Sequence, residues 1–185
     1  MRKSSARWIS LAAFVAAIGW GLHLWFYAHP DFKTRRLDRP DYAIDIPAQW
    51  SAEQDYDPSE RSGEFLRLSQ SANPQNRDWE FEITAESTGT TMDAWLTGQR
   101  AGDDSASPIE EVRLDNGVVA KTWTAVLSMV EVGYPVRMWG FAAPNGRTYS
   151  CTYAIPSGPV ERRRLDNMIR RVLGSMKFKG SSAAD

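Results

Sequence analysis

Three carboxylates, Asp78, Glu80 and Glu82, alternate along one candidate strand and so share a face of it. Side chains of that type at that spacing could hold a hard cation or work as acid and base. Like charges so close repel, so cations are expected opposite them, with Arg67, Arg113 and Lys121 as the candidates, and a surface charge ladder is the plainer expectation. Cys151, the one cysteine, alternates with Tyr149 and Tyr153 on an aromatic strand face. Nothing near it in sequence would lower its pKa, so it reads as a buried structural thiol. Asp103-Asp104 lacks the spacing of a calcium loop. Both histidines, His23 and His29, precede residue 30, which leaves the rest of the chain without Ser-His or Cys-His catalysis or a histidine metal site. A lone cysteine equally excludes an internal disulfide and a CxxC pair. No catalytic residue, metal ligand or cofactor is assigned, and the expectation is a protein that is not an enzyme.

The remaining charged feature is a basic helix. Arg162, Arg163, Arg164, Arg170 and Arg171 lie within one amphipathic segment and could dock on an acidic partner or on anionic lipid headgroups. The alternative is a solvated face balanced by Glu161 and Asp166. Across all 185 residues the balance is 22 Lys and Arg against 23 Asp and Glu. The first thirty residues contain Arg2, Lys3 and Arg7 but no acid, so the remainder is net acidic and nucleic acid is not an expected partner.

From Trp8 to Ala28 no side chain carries a full charge, and a helix of that stretch would match the roughly 30 Å hydrocarbon core of a bilayer. Trp8, Trp20, Trp25 and Tyr27 are the expected membrane-anchor residues, the terminal ones as interfacial aromatics. Bulky Trp25-Phe26-Tyr27 stands where a cleavable signal peptide wants small residues, so the segment reads as an uncleaved signal anchor. The basic, acid-free tail before it is expected to stay inside. That puts the chain in the inner (cytoplasmic) membrane as a single-pass protein with its larger part outside the cytoplasm.

These features divide the chain into an anchor at 1–30, a charged tether at 31–40, a folded domain at 41–179 and a disordered tail at 180–185. Within the domain, Tyr42, Ile44 and Ile46 alternate with Ala43 and Asp45, and Phe81 and Ile83 alternate with Glu80 and Glu82, both as half-buried strands. Thr90 with Asp93 three residues later predicts the N-cap of a short helix carrying Met92, Trp95 and Leu96. Asn116-Gly117 and Asn145-Gly146 predict tight turns between long apolar strands. Leu165, Met168, Ile169, Val172 and Leu173 repeat at helical spacing after Gly158-Pro159. The predicted class is α+β, a sandwich of two helices and a central antiparallel sheet of about six or seven strands, preceded by one transmembrane helix.

Tyr42-Ala43-Ile44-Asp45-Ile46-Pro47-Ala48-Gln49-Trp50, Thr91-Met92-Asp93-Ala94-Trp95 and Ser175-Met176-Lys177-Phe178 together resemble the PsbP-like superfamily. These are packing and turn motifs, with no active-site signature among them. The resemblance implies a three-layer α/β/α sandwich around that central antiparallel sheet, used to bind or help assemble other proteins, usually without catalysis. Joined to the anchor, it gives the expectation of an accessory protein that binds a protein or complex of the cell envelope. The alternative expectation is a lipid or small-ligand carrier with an aromatic pocket between helix and sheet.

Overall fold

Asn-Gly pairs supply the positive φ that a tight turn needs, and the long strands of this chain are set by two of them. At Gly117 φ is 85° and at Gly146 it is 78°. Leu114 N–H donates to Val118 O at 2.8 Å, and Ala143 N–H donates to Arg147 O at 2.8 Å, closing the two hairpins. The computed structural model describes residues 16–24, 32–53, 65–69, 80–85, 89–101, 105–129 and 132–180.

The described strands are β1 (Thr34–Asp38), β2 (Tyr42–Pro47), β3 (Ser51–Glu53), β4 (Phe65–Ser69), β5 (Glu80–Ala85), β6 (Glu110–Arg113), β7 (Val119–Met129), β8 (Val132–Ala142), β9 (Thr148–Ala154) and β10 (Lys177–Phe178). The helices are α1 (residues 16–24), α2 (Met92–Arg100) and α3 (Pro159–Gly174). One sheet has the order β1-β2-β10, the other β3-β4-β5-β9-β8-β7-β6. Every registered pair in both is antiparallel.

This corrects the expected sandwich around one central sheet. The difference begins at residues 34–38, expected as tether, which form β1. Only Leu37 is apolar there, so composition hides the strand, but Arg35 and Leu37 face inward opposite Ile46 and Ile44. Arg35 fits that position because its guanidinium donates to Trp50 O at 2.8 Å. Arg36 pairs with Asp45 at 3.0 Å on the outer face. β2 thus completes its ladder with β1 and β10 and is no part of the larger sheet.

The transmembrane helix is corrected as well. Among the described residues no helix is long and apolar enough to cross a membrane. The single-pass anchor falls with this finding, and so do the inner-membrane assignment and the placement outside the cytoplasm. Trp20 is exposed, with its ring 6.0 Å from that of His23. Trp8, Trp25, Tyr27 and the 181–185 tail lie outside the described residues.

The chain forms two compact units, Met1–Asp31 with Pro156–Ile169 and Phe32–Ile155 with Arg170–Asp185. In the first, Leu165, Met168 and Ile169 are buried. The second holds both sheets. Strand alternation gives its larger sheet two apolar faces. On one lie Trp139 and Phe141 from β8, Tyr149, Cys151 and Tyr153 from β9, Phe81 and Ile83 from β5, and Leu66 and Leu68 from β4, all buried. Tyr149 is the junction with the smaller sheet: its ring lies 5.5 Å from Tyr42 of β2 and 5.5 Å from Phe178 of β10.

The opposite face carries α2. Thr91 caps this helix by accepting from Ala94 N–H at 3.2 Å, and Asp93 and Arg100 complement its dipole at the two ends. Trp95 is the one buried residue of the helix, and it packs with Trp123, Ala125, Val136 and Met138. It can do so because position 140 is glycine. A Cβ there would collide with the Trp95 ring and lie 2.7 Å from the Met92 methyl.

Candidate functional site

The β7–β8 hairpin outruns its neighbours. β9 pairs with β8 only over Val136–Ala142, and β6 pairs with β7 only over Val119–Thr122. β7 and β8 continue to pair with each other to Met129 and Val132. The end of the hairpin therefore projects as a two-stranded arm with apolar side chains on both faces. Leu127 stands opposite Tyr134, and Val126 opposite Pro135. Val126, Leu127 and Tyr134 are 44%, 42% and 49% exposed. A cluster of exposed apolar residues at one place, unlike a scatter of single ones, marks an interaction surface.

Local sequence shapes this arm. Gly133 leaves room for Val126, whose Cγ1 would lie 2.8 Å from a Cβ at 133. Pro135 has no N–H to offer a neighbouring strand, and its carbonyl accepts from Ile155 N–H at 2.9 Å, just past the last residue of β9. On the outer edge of β7, serine side chains stand where a strand would. Thr124 N–H donates to Ser107 Oγ at 2.9 Å, and Val126 N–H donates to Ser105 Oγ at 3.2 Å. Those bonds protect the edge from strand-to-strand aggregation and leave the side chains of the arm accessible.

The residues singled out from sequence lie elsewhere. Arg162 and Arg163 are exposed and Arg164 half-buried in the first unit, while Arg170 and Arg171 are exposed in the second. Arg162 donates to Pro156 O at 3.4 Å, and Arg170 donates to Arg113 O at 3.0 Å, bracing the edge strand β6. The Arg171 guanidinium lies 4.8 Å from the Phe32 ring centre. These contacts give three of the five arginines structural work. Asp78 and Asp103-Asp104 are outside the described residues. Glu82 is half-buried, with Thr84 Oγ1 donating to it at 3.4 Å.

Cys151 is fully enclosed, and burial, reinforced by the negative charge of Glu82, pushes its thiol well above the ordinary range. The unfolded thiol ionises above about pH 8.5 while the buried one keeps its proton, so the native state binds more protons and loses stability as pH rises. The expected loss from this group is about 1.4 kcal/mol per pH unit above that point. Urea unfolding of the wild type and of Cys151→Val at pH 8 and pH 10 checks it, with the extra slope absent from the variant.

No family model matches the chain, and no curated protein matches it. Eleven solved chains do. One is a crystal structure from Bacteroides thetaiotaomicron VPI-5482, 15% identical, with a TM-score of 0.48. The match covers 75% of this chain and 45% of that one, so this chain spans under half of its length.

Sequence reasoning missed the projecting arm, because Gly133 and Pro135 interrupt the apolar run although both lie within β8. A usable sign was present. A strand as long as Val118–Val132, followed by a proline, exceeds what short neighbouring strands can cover, and proline belongs at sheet edges.

Proposed function

We propose that the chain is a non-catalytic protein-binding module that docks a partner through the projecting end of the β7–β8 hairpin. The observation that carries this reading is the clustering of Val126, Leu127 and Tyr134 beyond the last paired residues of β6 and β9. A rigid two-stranded arm with an aromatic ring and two aliphatic side chains is suited to act as an anchor, because little side-chain entropy is lost on docking. The partner it suits is a protein with an apolar recess flanked by polar backbone. The PsbP-like resemblance of residues 42–50, 91–95 and 175–178 supports the same use.

The test is site-specific photo-crosslinking in cells that produce the chain. Photoreactive residues at 127 and at 134 are expected to capture the same partner. One at Val119, equally exposed at the other end of β7, captures none. Leu127→Asp should abolish the adduct from position 134, Tyr134→Ser the adduct from position 127, and the two substitutions together should weaken binding by about a hundredfold. Stability should change by only about 0.5 kcal/mol, as for other surface changes. Equal adducts from all three positions, or none from 127 and 134, would refute the reading.

A further inference from the structure

Indole N–H groups buried inside proteins nearly always find an acceptor. Beneath α2 two of them do not. Trp95 Nε1 and Trp123 Nε1 are both enclosed, with no acceptor within hydrogen-bond distance among the described residues. Their rings lie 5.4 Å apart in one cluster, so the two unmet donors are neighbours. The third polar group at this spot is also a donor. Arg100, in the last turn of α2, holds its guanidinium 5.9 Å from the Trp123 ring centre while donating to Ser107 O at 2.9 Å. The apolar neighbours are Ala125, Val136 and Met138 on the sheet and Met92 and Leu96 on the helix, and the Lys121–Asp93 ion pair, at 3.6 Å, links the same two elements.

We infer that the sheet face under α2 is a binding site for a small aromatic anion, with α2 as its lid. The ring of such a molecule would stack on Trp123 between sheet and helix, and its carboxylate or sulfonate would accept from the two indoles close to Arg100. α2 is fitted to be the moving part, since Trp95 is its one buried side chain. The methionines on either side, Met92 and Met138, can reshape around a guest. This goes beyond protein docking: Trp123, Ala125, Val136 and Met138 share a hairpin face with Leu127 and Tyr134 but lie nearer the base. It is also the place where a carrier with a pocket between helix and sheet would hold its ligand.

The experiment is calorimetric titration of the full chain with naphthalene-2-sulfonate and with 2-naphthylmethylammonium, which share a ring system and differ in the sign of the head group. The sulfonate is expected to bind saturably at one site and to alter the circular dichroism couplet of the Trp95–Trp123 pair. The ammonium compound should bind at least about tenfold more weakly. Trp95→Phe keeps the ring and removes the donor, and Arg100→Gln removes the charge. Each should weaken sulfonate binding by about tenfold or more, as for bonds to a charged group. Leu127→Asp should leave it unchanged, which separates this site from the docking arm. If Trp95→Phe fails to fold, the two probes and Arg100→Gln still decide. Equal binding of the two probes, wild-type affinity in Arg100→Gln, or no saturable heat up to millimolar sulfonate would overturn the inference.

Discussion

Gly140→Val is expected to remove about 3–5 kcal/mol of stability, the usual cost of losing a buried tryptophan from a core. The substitution is mild by strand propensity, since valine suits a central strand better than glycine. What makes it severe is Trp95, whose ring fills the space above the glycine and would have to leave with α2. Urea unfolding measures the loss, and disappearance of the Trp95–Trp123 exciton couplet identifies its cause. A double-mutant cycle sharpens the test. In a Trp95→Ala background the added Gly140→Val should cost little or be stabilising. If the two losses simply add, the glycine has some role other than receiving that ring.

Tyr149→Ala should be as damaging, at about 3–5 kcal/mol, for a different reason. Tyr149 is wholly buried, and its ring meets Tyr42, Phe141 and Phe178, so one side chain ties β9 to β2 and β10 of the smaller sheet. Its hydroxyl accepts from Asn145 Nδ2 at 3.0 Å, beside the Asn145-Gly146 turn. Tyr149→Phe, which keeps the ring, should cost only about 1 kcal/mol, the net worth of a hydrogen bond. Hydrogen exchange separates the two effects. The alanine variant should lose protection first at Ala43, Asp45 and Phe178, whereas the phenylalanine variant should lose it only near the turn. Uniform loss of protection in the alanine variant would show that the two sheets do not separate there.

How far these features could be read in advance depended on the range of the interactions that make them. The strand around Phe81 and Ile83, the short helix near Asp93 and the two Asn-Gly turns are local, and residue type alone points to them, although the cap expected at Thr90 falls one residue later, at Thr91. Burial of Cys151 followed from its aromatic neighbours in sequence. The second sheet was hidden because β1 is nearly all polar. Only its register against Ile44 and Ile46, and the carbonyl of Trp50 for Arg35, make that strand worthwhile. For the apolar stretch from Trp8 to Ala28 composition suggested a membrane-spanning helix, whereas among the described residues no helix is long and apolar enough to cross a membrane. The hairpin arm and the indole pair were illegible for a shared reason. Both are defined by what neighbouring strands and side chains leave uncovered, and a single strand's sequence does not report where its neighbours stop.

The smaller sheet carries one more consequence. Asp45 N–H of β2 donates to Ser175 Oγ across 130 positions, and Lys179 Nζ reaches Arg39 O across 140. β2 can pair with β1 as soon as both have left the ribosome, but its other edge must wait for β10. Until then Tyr42 and Ile44 stand beside an unfilled ladder, a template for any passing extended chain. A message read only as far as Met176 would yield a protein with both long hairpins intact and that edge permanently open. Quality control should therefore find incomplete copies of this chain by their second strand, long before any loss of the larger sheet betrays them.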